Sequence, residues 1–227
     1  MGEDVPPARE SSKHESDYHY REVPGSDLSR IHFLSDAVFA FALTLLILGL
    51  VVPSFSEAGL NSGQVSQKVW SSLASEGTRF AAYLFAFVMV TLWWTVHHRT
   101  FRSIQRYDYA LIWINMMVLL EIAFMPFILQ LYAAFSQTQA AVVLFALTQL
   151  LTGLTVNALW RYASANHRLI DPTIPDEYIR HYARRGLLPS AAFAVSILIS
   201  FVSVPAAELF WVAPLILAYF AGVYRVS

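Results

Sequence analysis

Beyond Arg30 and His32, three polar side chains stand in an otherwise apolar stretch that reads RIHFLSDAVFAFALTLLILGL from Arg30 to Leu50. Ser35 and Asp36 lie near its beginning, and Thr44 adds a hydroxyl further along. A carboxylate at membrane depth is costly unless it is paired or hydrogen-bonded. Two kinds of chemistry are therefore open to Asp36. It can cap a helix start by accepting backbone N–H bonds, or it can join a polar network with neighbouring helices.

Candidate partners for such a network occur at the ends of two later apolar segments. They are Trp94, His97 and Arg99 in LWWTVHHRTF, and Asp108 and Asn115 in DYALIWIN. If the segments are level in a bilayer, Asn115 lies about as deep as Asp36, and polar side chains at that depth bond between helices. His97 has two interpretations, as an anchor at the membrane interface or as a hydrogen-bond partner of the Ser35–Asp36 pair.

The elements that must position these residues are membrane spans. The chain of 227 residues is 56% hydrophobic and 14% charged, whereas a soluble domain is about a quarter charged. A span needs about 20 mainly apolar residues. Six segments are candidates: 31–52, 78–97, 109–133, 139–160, 187–204 and 206–224. The sequence therefore predicts an all-α, polytopic membrane protein with six transmembrane helices.

The distribution of basic residues predicts the orientation of these spans. Of the 15 Lys and Arg residues, only Lys68 and Arg79 fall on one side of the predicted membrane, and the other thirteen fall on the opposite side. Cytosolic segments carry such an excess. Both termini are therefore predicted to be cytosolic, in a multi-pass protein of the plasma membrane. Residues 1–29 are predicted to be a disordered cytosolic tail, and residues 30–227 the membrane domain.

The first predicted helix has two faces of different composition. At about 100° per residue, Asp36 shares one face with Ala40, Leu43 and Ile47. Phe41, Thr44 and Leu48 share a face roughly opposite. The second face suits contact with lipid, with another helix or with an axial pore. A pore would require one such helix from each of several subunits, for which cyclic symmetry is the usual arrangement.

Several function classes lack support in the sequence. The net charge of −1 indicates no nucleic-acid binding, and the absence of cysteine excludes disulfides and thiolate metal sites. The motifs of phosphate-binding loops, zinc proteases and serine hydrolases are missing, so we expect neither an enzyme nor a cofactor. A carbonyl filter of the TVGYG type is also missing. Glu121, an acid in mid-span, leaves open an alternative function as a proton channel or proton-coupled carrier.

The motifs resemble those of the transmembrane protein 175 family of potassium channels, in its single-repeat bacterial form. RIHFLSD is similar to the family's first-helix signature Arg-x-x-x-Phe-Ser-Asp, with Leu34 in place of Phe. WWTVHHRTF is similar to the Trp-x-x-His-x-Arg stretch of the second helix. DYALIWIN, followed by FMPF, is similar to the third helix. The similar segments cover 30–52 and 90–130, and their order and spacing together are specific.

This resemblance implies a homotetramer in a lipid bilayer, with the first helices around a central pore. It implies leaky selectivity for potassium ions without a conventional filter. The pore would be constricted at Phe41 and Leu48, with a threonine layer at Thr44; the family has an aliphatic residue where Phe41 stands. The resemblance also implies a network that positions the first helix, made of Arg30, Ser35, Asp36, Trp94, His97 and Asn115. Metal sites are not implied, apart from K⁺ in transit.

Overall fold

The computed structural model describes residues 26–212, and the regular elements in that range are helices. The α-helices are α1 (Ser26–Leu45), α2 (Ser62–Ser75), α3 (Gly77–Arg102), α4 (Tyr109–Phe135), α5 (Gln139–Ser164), α6 (Asp176–Arg185), α7 (Leu188–Ser200) and α8 (Val204–Phe210). A 3₁₀ segment, Leu46–Gly49, continues α1, and a 3₁₀ turn, Ala165–His167, follows α5. The predicted all-α class is confirmed for the described part of the chain.

Four of these helical stretches are long and apolar enough to cross a membrane: Leu28–Gly49, Gly77–Arg102, Tyr109–Phe135 and Gln139–His167. They coincide with the first four predicted spans. The fifth predicted span, 187–204, contains α7, which has 13 residues and is shorter than a usual span. The sixth, 206–224, extends beyond the described residues, and most of the predicted tail, 1–29, precedes them. The total of six spans stays a prediction.

The connection between α1 and α3 contains a helix that hydropathy alone does not predict. The Asn61 side chain accepts a hydrogen bond from the Gln64 backbone N–H at 2.9 Å, and the Gln64 side chain accepts one from the Asn61 N–H at 3.0 Å. This reciprocal capping box satisfies two backbone donors that a helix start otherwise leaves unpaired. The capping box thereby starts α2 in a segment of mostly polar residues.

In the core of the described region, α4 packs on α1, α3 and α5, while α1 and α5 also pack on α3 and α7 packs on α5. Gly153 of α5 permits the closest approach in this core. A Cβ atom at Gly153 would collide with Ser190 of α7 and would lie 2.9 Å from the Trp93 side chain of α3. The missing side chain therefore lets three helices meet at one point.

Contacts beyond the helix ends fix where α4 begins. The Asp108 side chain accepts a hydrogen bond from the Leu111 N–H at 2.8 Å and so caps the helix. Its other oxygen accepts from the Tyr162 hydroxyl at 2.7 Å and from the Arg168 guanidinium at 3.2 Å. This arrangement ties the start of α4 to the end of α5 and sets the depth of Asn115, which lies two turns further along α4.

Candidate functional site

A buried chain of hydrogen bonds joins α1, α3 and α4. The Asn115 Nδ2 donates to Ser35 Oγ at 3.0 Å, and Asn115 Oδ1 lies 2.8 Å from His97 Nε2. Because the amide oxygen only accepts, the His97 Nε2 must carry the proton. Ser35 Oγ in turn donates to the Ile31 carbonyl at 2.9 Å. Every bond of the chain thus runs in one direction, from His97 through Asn115 and Ser35 to the α1 backbone.

The three side chains of this chain are almost completely shielded, with exposed fractions of 1% for Ser35, 3% for His97 and 0% for Asn115. The His97 ring stacks on Phe101, with centroids 4.5 Å apart, and also packs near Phe39 of α1. His97 is therefore a core residue, and its interpretation as an exposed interfacial anchor is wrong. A buried polar group that loses its partner costs about 1–3 kcal/mol, so the three residues hold one another in place.

Asp36 attaches α1 to a different helix. Its Oδ1 accepts a hydrogen bond from Trp94 Nε1 of α3 at 2.9 Å, and Trp94 also stacks on His98. Since α1 begins at Ser26, Asp36 lies more than two turns inside the helix and does not cap its start. Neighbouring residues of a helix point about 100° apart. Ser35 therefore reaches α4, while Asp36 reaches α3.

Arg30 is the one residue of the predicted network that the structure does not bring into it. Its side chain is exposed, and among the described residues neither the hydrogen bonds nor the ion pairs include it. Ser35, Asp36, Trp94, His97 and Asn115 form the two connected groups described above. The structure links His97 to Ser35 through Asn115 rather than directly.

The face of α1 that packs inward differs from the predicted one by about one residue. Phe39, Ala42 and Leu46 are buried, with exposed fractions of 1%, 2% and 1%, and they continue the line of Ser35. The predicted Asp36 face also included Ala40 and Ile47, which are exposed. The bulk of Phe39 and Leu46 decides the rotation of the helix, because burying these side chains removes the most apolar surface from solvent.

A second stripe of α1 is uncovered in the single chain. Phe41 is 70% exposed and Leu48 is 67% exposed, and Thr44 between them is exposed as well. The Thr44 hydroxyl donates to the Phe41 carbonyl at 2.8 Å. Leu34 and Ala37 extend the same stripe toward the start of α1 at spacings of three and four residues. The network thus fixes one face of α1 and leaves this stripe free to meet something outside the subunit.

Glu121 lies apart from both features. Its Oε1 accepts a hydrogen bond from the Thr155 hydroxyl at 2.9 Å, so the carboxyl is held between α4 and α5. A hydroxyl from a neighbouring helix is a common partner for an intramembrane acid. This hydrogen bond links α4 to α5 within the subunit.

Several known proteins are similar to this chain in sequence or in fold. A family profile described as the endosomal/lysosomal potassium channel TMEM175 matches residues 30–126, which contain the whole network. A potassium channel of Streptomyces collinus is 28% identical over 184 residues, covering 79% of this chain and 85% of that protein. A crystal structure of a lysosomal potassium-selective channel TMEM175 homologue from Chamaesiphon minutus matches with a TM-score of 0.71 and 26% identity, covering 86% of this chain and 98% of the other. Over residues 30–126 this chain is therefore similar to the TMEM175 family.

Further relatives of this chain differ from one another in length and in the ion for which they are named. A potassium channel of Chamaesiphon minutus is 29% identical over 185 residues, covering 79% of this chain and 87% of that protein. The human endosomal/lysosomal proton channel TMEM175 is 28% identical over 200 residues, covering 86% of this chain but 38% of the human protein. TMEM175 is thus a family of ion channels rather than of enzymes, and its members are named for potassium or for protons.

Proposed function

We propose that this protein is a potassium channel of the plasma membrane, formed by a homotetramer whose α1 helices surround a central pore. The observation that carries the proposal is the exposed stripe of α1, because a helix fixed on one side by buried hydrogen bonds presents its other side outward in a defined orientation. The names of the bacterial relatives support potassium as the ion. In this proposal the subunit has six spans, and both termini are cytosolic.

The network gives the proposed pore its geometry. Ser35 bonded to Asn115, and Asp36 bonded to Trp94, hold α1 against two helices of its own subunit. Two attachments in different directions prevent rotation of α1 about its axis, which a single attachment would allow. The stripe of Phe41, Thr44 and Leu48 would then point at the symmetry axis.

Each residue of the stripe has a distinct part in the proposed pore. Phe41 and Leu48 would form rings of apolar side chains, and such constrictions restrict water and ions by dewetting. Thr44 lies between them, and its hydroxyl hydrogen is already bonded to the Phe41 carbonyl. Its oxygen lone pairs therefore stay available to a cation. Selection by bore and one hydroxyl layer would give a modest preference for K⁺, unlike a filter of backbone carbonyls.

The reversal potential of the purified protein in a planar bilayer tests this function. With K⁺ on one side and Na⁺ on the other, we expect a steady current that reverses toward the K⁺ equilibrium potential. A reversal potential near zero would show a cation pore without K⁺ preference. A verified, folded oligomer that carries no current would contradict the channel proposal.

Replacing Glu121 separates the pore from the alternative proton-coupled carrier. We expect Glu121→Gln to leave the K⁺ current and its reversal potential unchanged, because Glu121 bonds to α5 and does not reach the stripe. The amide oxygen of glutamine can still accept from Thr155. A carrier that titrates Glu121 would instead lose transport while the folded oligomer persists, and that result would favour the carrier.

A further inference from the structure

The amphipathic helix α6 lies beside the last turns of α5 instead of beyond its end. Trp160 Nε1 donates to the Ile179 carbonyl at 3.2 Å, and Asn157 Nδ2 donates to the Ala183 carbonyl at 2.7 Å. Asn157 precedes the end of α5 at Ser164 by seven residues, which is about 10 Å along the helix axis. The C-terminal half of α6 is therefore level with the end section of a membrane-length helix.

The inner side of α6 is fastened to α3 as well. The Tyr182 hydroxyl lies 3.3 Å from the Thr100 Oγ1. The Tyr182 ring packs against the Trp160 ring in a tilted arrangement, with centroids 4.7 Å apart. Burial raises the pKa of Tyr182, so this hydroxyl stays neutral and keeps its hydrogen bonds. With both α3 and α5 on its inner side, α6 has a fixed inner and outer face at the membrane boundary.

The outer face of α6 carries two arginines one helical turn apart. Arg180 and Arg184 are exposed, and within residues 26–212 neither takes part in an ion pair or a side-chain hydrogen bond. The two acids of α6, Asp176 and Glu177, lie in its first turn, one helical turn before Arg180 and two turns before Arg184. Tyr178, 44% exposed, lies on the same helix and has the mixed polarity favoured at the membrane interface.

The arginines adjoin a surface suited to acyl chains. α7 starts three residues after the end of α6 and leaves Leu188 39%, Val195 42% and Leu198 68% exposed. A phospholipid has the same order of groups, with an anionic phosphate above apolar tails. Guanidinium groups bind phosphate through charge-assisted hydrogen bonds, and basic residues next to a span are attracted to anionic lipids.

We propose that the junction of α6 and α7 is a binding site for an anionic phospholipid, whose phosphate lies at Arg180 and Arg184 and whose tails follow α7. This site belongs to the individual subunit: α6 and α7 pack on α5, whereas α1 packs on α3 and α4. It does not depend on ion conduction, so its test and the test of the channel are independent.

Lipid titration of the purified full-length protein in detergent, followed by native mass spectrometry, tests the site. Phosphatidylglycerol is the anionic probe and phosphatidylcholine the zwitterionic reference. We expect tighter binding of phosphatidylglycerol to the wild type, and about fivefold weaker binding for each arginine removed in Arg180→Gln and Arg184→Gln. The charge-matched control is Lys68→Gln combined with Arg106→Gln, which also removes two exposed basic groups but leaves α6 intact.

The results separate this site from general electrostatic attraction. Equal loss of phosphatidylglycerol binding in the control pair and in the Arg180/Arg184 pair would overturn the proposal, as would equal binding of both lipids by the wild type. Displacement of the lipid by inorganic phosphate alone would indicate a free-phosphate site instead. If the double variant is unstable, the single variants keep the test valid. The replacements Arg180→Lys and Arg184→Lys serve the same purpose, since lysine retains the charge.

Discussion

Replacing Asn115 with alanine is expected to remove most of the K⁺ current and to lower the stability of the subunit by about 1–3 kcal/mol. The substitution leaves the His97 Nε2–H buried without an acceptor and takes the Asn115 donor from Ser35. With this bond lost, the Ser35–Asp36 pair keeps one hydrogen bond to another helix among the described residues, from Trp94 of α3 to Asp36. A change of about 1.4 kcal/mol alters a conformational equilibrium tenfold, so we expect the population of the correctly rotated α1 to fall.

Thermal unfolding, oligomer size and bilayer current measured on the same preparation check this expectation. Gln130→Ala is the matched control, because Gln130 is an exposed polar residue of the same helix α4. We expect the control to retain both stability and current. If Asn115→Ala and Gln130→Ala gave equal currents and equal unfolding temperatures, the network would not orient α1.

Attachment of a cationic thiol reagent to Thr44→Cys is expected to block most of the current through open channels. The natural chain has no cysteine, so the introduced thiol is the only reactive one. In a tetramer four modified side chains would meet at one level of the pore and place positive charge in the path of K⁺. The measurement is the fraction of current lost during exposure to the reagent, and the rate of loss should be greater in open channels.

Thr148→Cys is the control for this labelling experiment. Thr148 is also a threonine whose hydroxyl bonds to its own helix, at 2.9 Å from the Leu144 carbonyl, but it lies on α5. We expect its modification to leave the current unchanged. An unaffected current in the Thr44→Cys channel, or an equal block of the Thr148→Cys channel, would remove the α1 stripe from the pore lining.

The sequence predicts the long helices well because hydropathy and length are local properties. It also places the right residue types at matching depths, since Asn115 does meet the Ser35–Asp36 pair. It does not predict which residue of the pair meets which helix. A rotation of about 100° distinguishes the two possibilities, and that rotation depends on how Phe39 and Leu46 pack against α3 and α4.

Other features depend on contacts that are distant in the chain. The capping box of α2 is visible in the sequence as Asn61 followed three residues later by Gln64, but a polar composition hides the helix from a search for spans. The position of α6 depends on the bond between Asn157 and the Ala183 carbonyl. Because these residues are far apart in sequence, neither periodicity nor composition reveals that α6 lies beside the helix ends.

The change from α to 3₁₀ geometry after Leu45 has a consequence for the phase of the helix. Each 3₁₀ residue advances the chain by about 120° rather than about 100°. By residue 48 the accumulated difference is about 60°, enough to move Leu48 off the line through Phe41 and Thr44 and to bring Ile47 toward it from the other side. Both are uncovered, at 67% and 48%. In the proposed pore, Leu48 and Ile47 of each subunit would then share the apolar ring beyond Thr44. Converting Leu46–Gly49 to α-helix would return Leu48 to the line through Phe41 and Thr44 and turn Ile47 away from it.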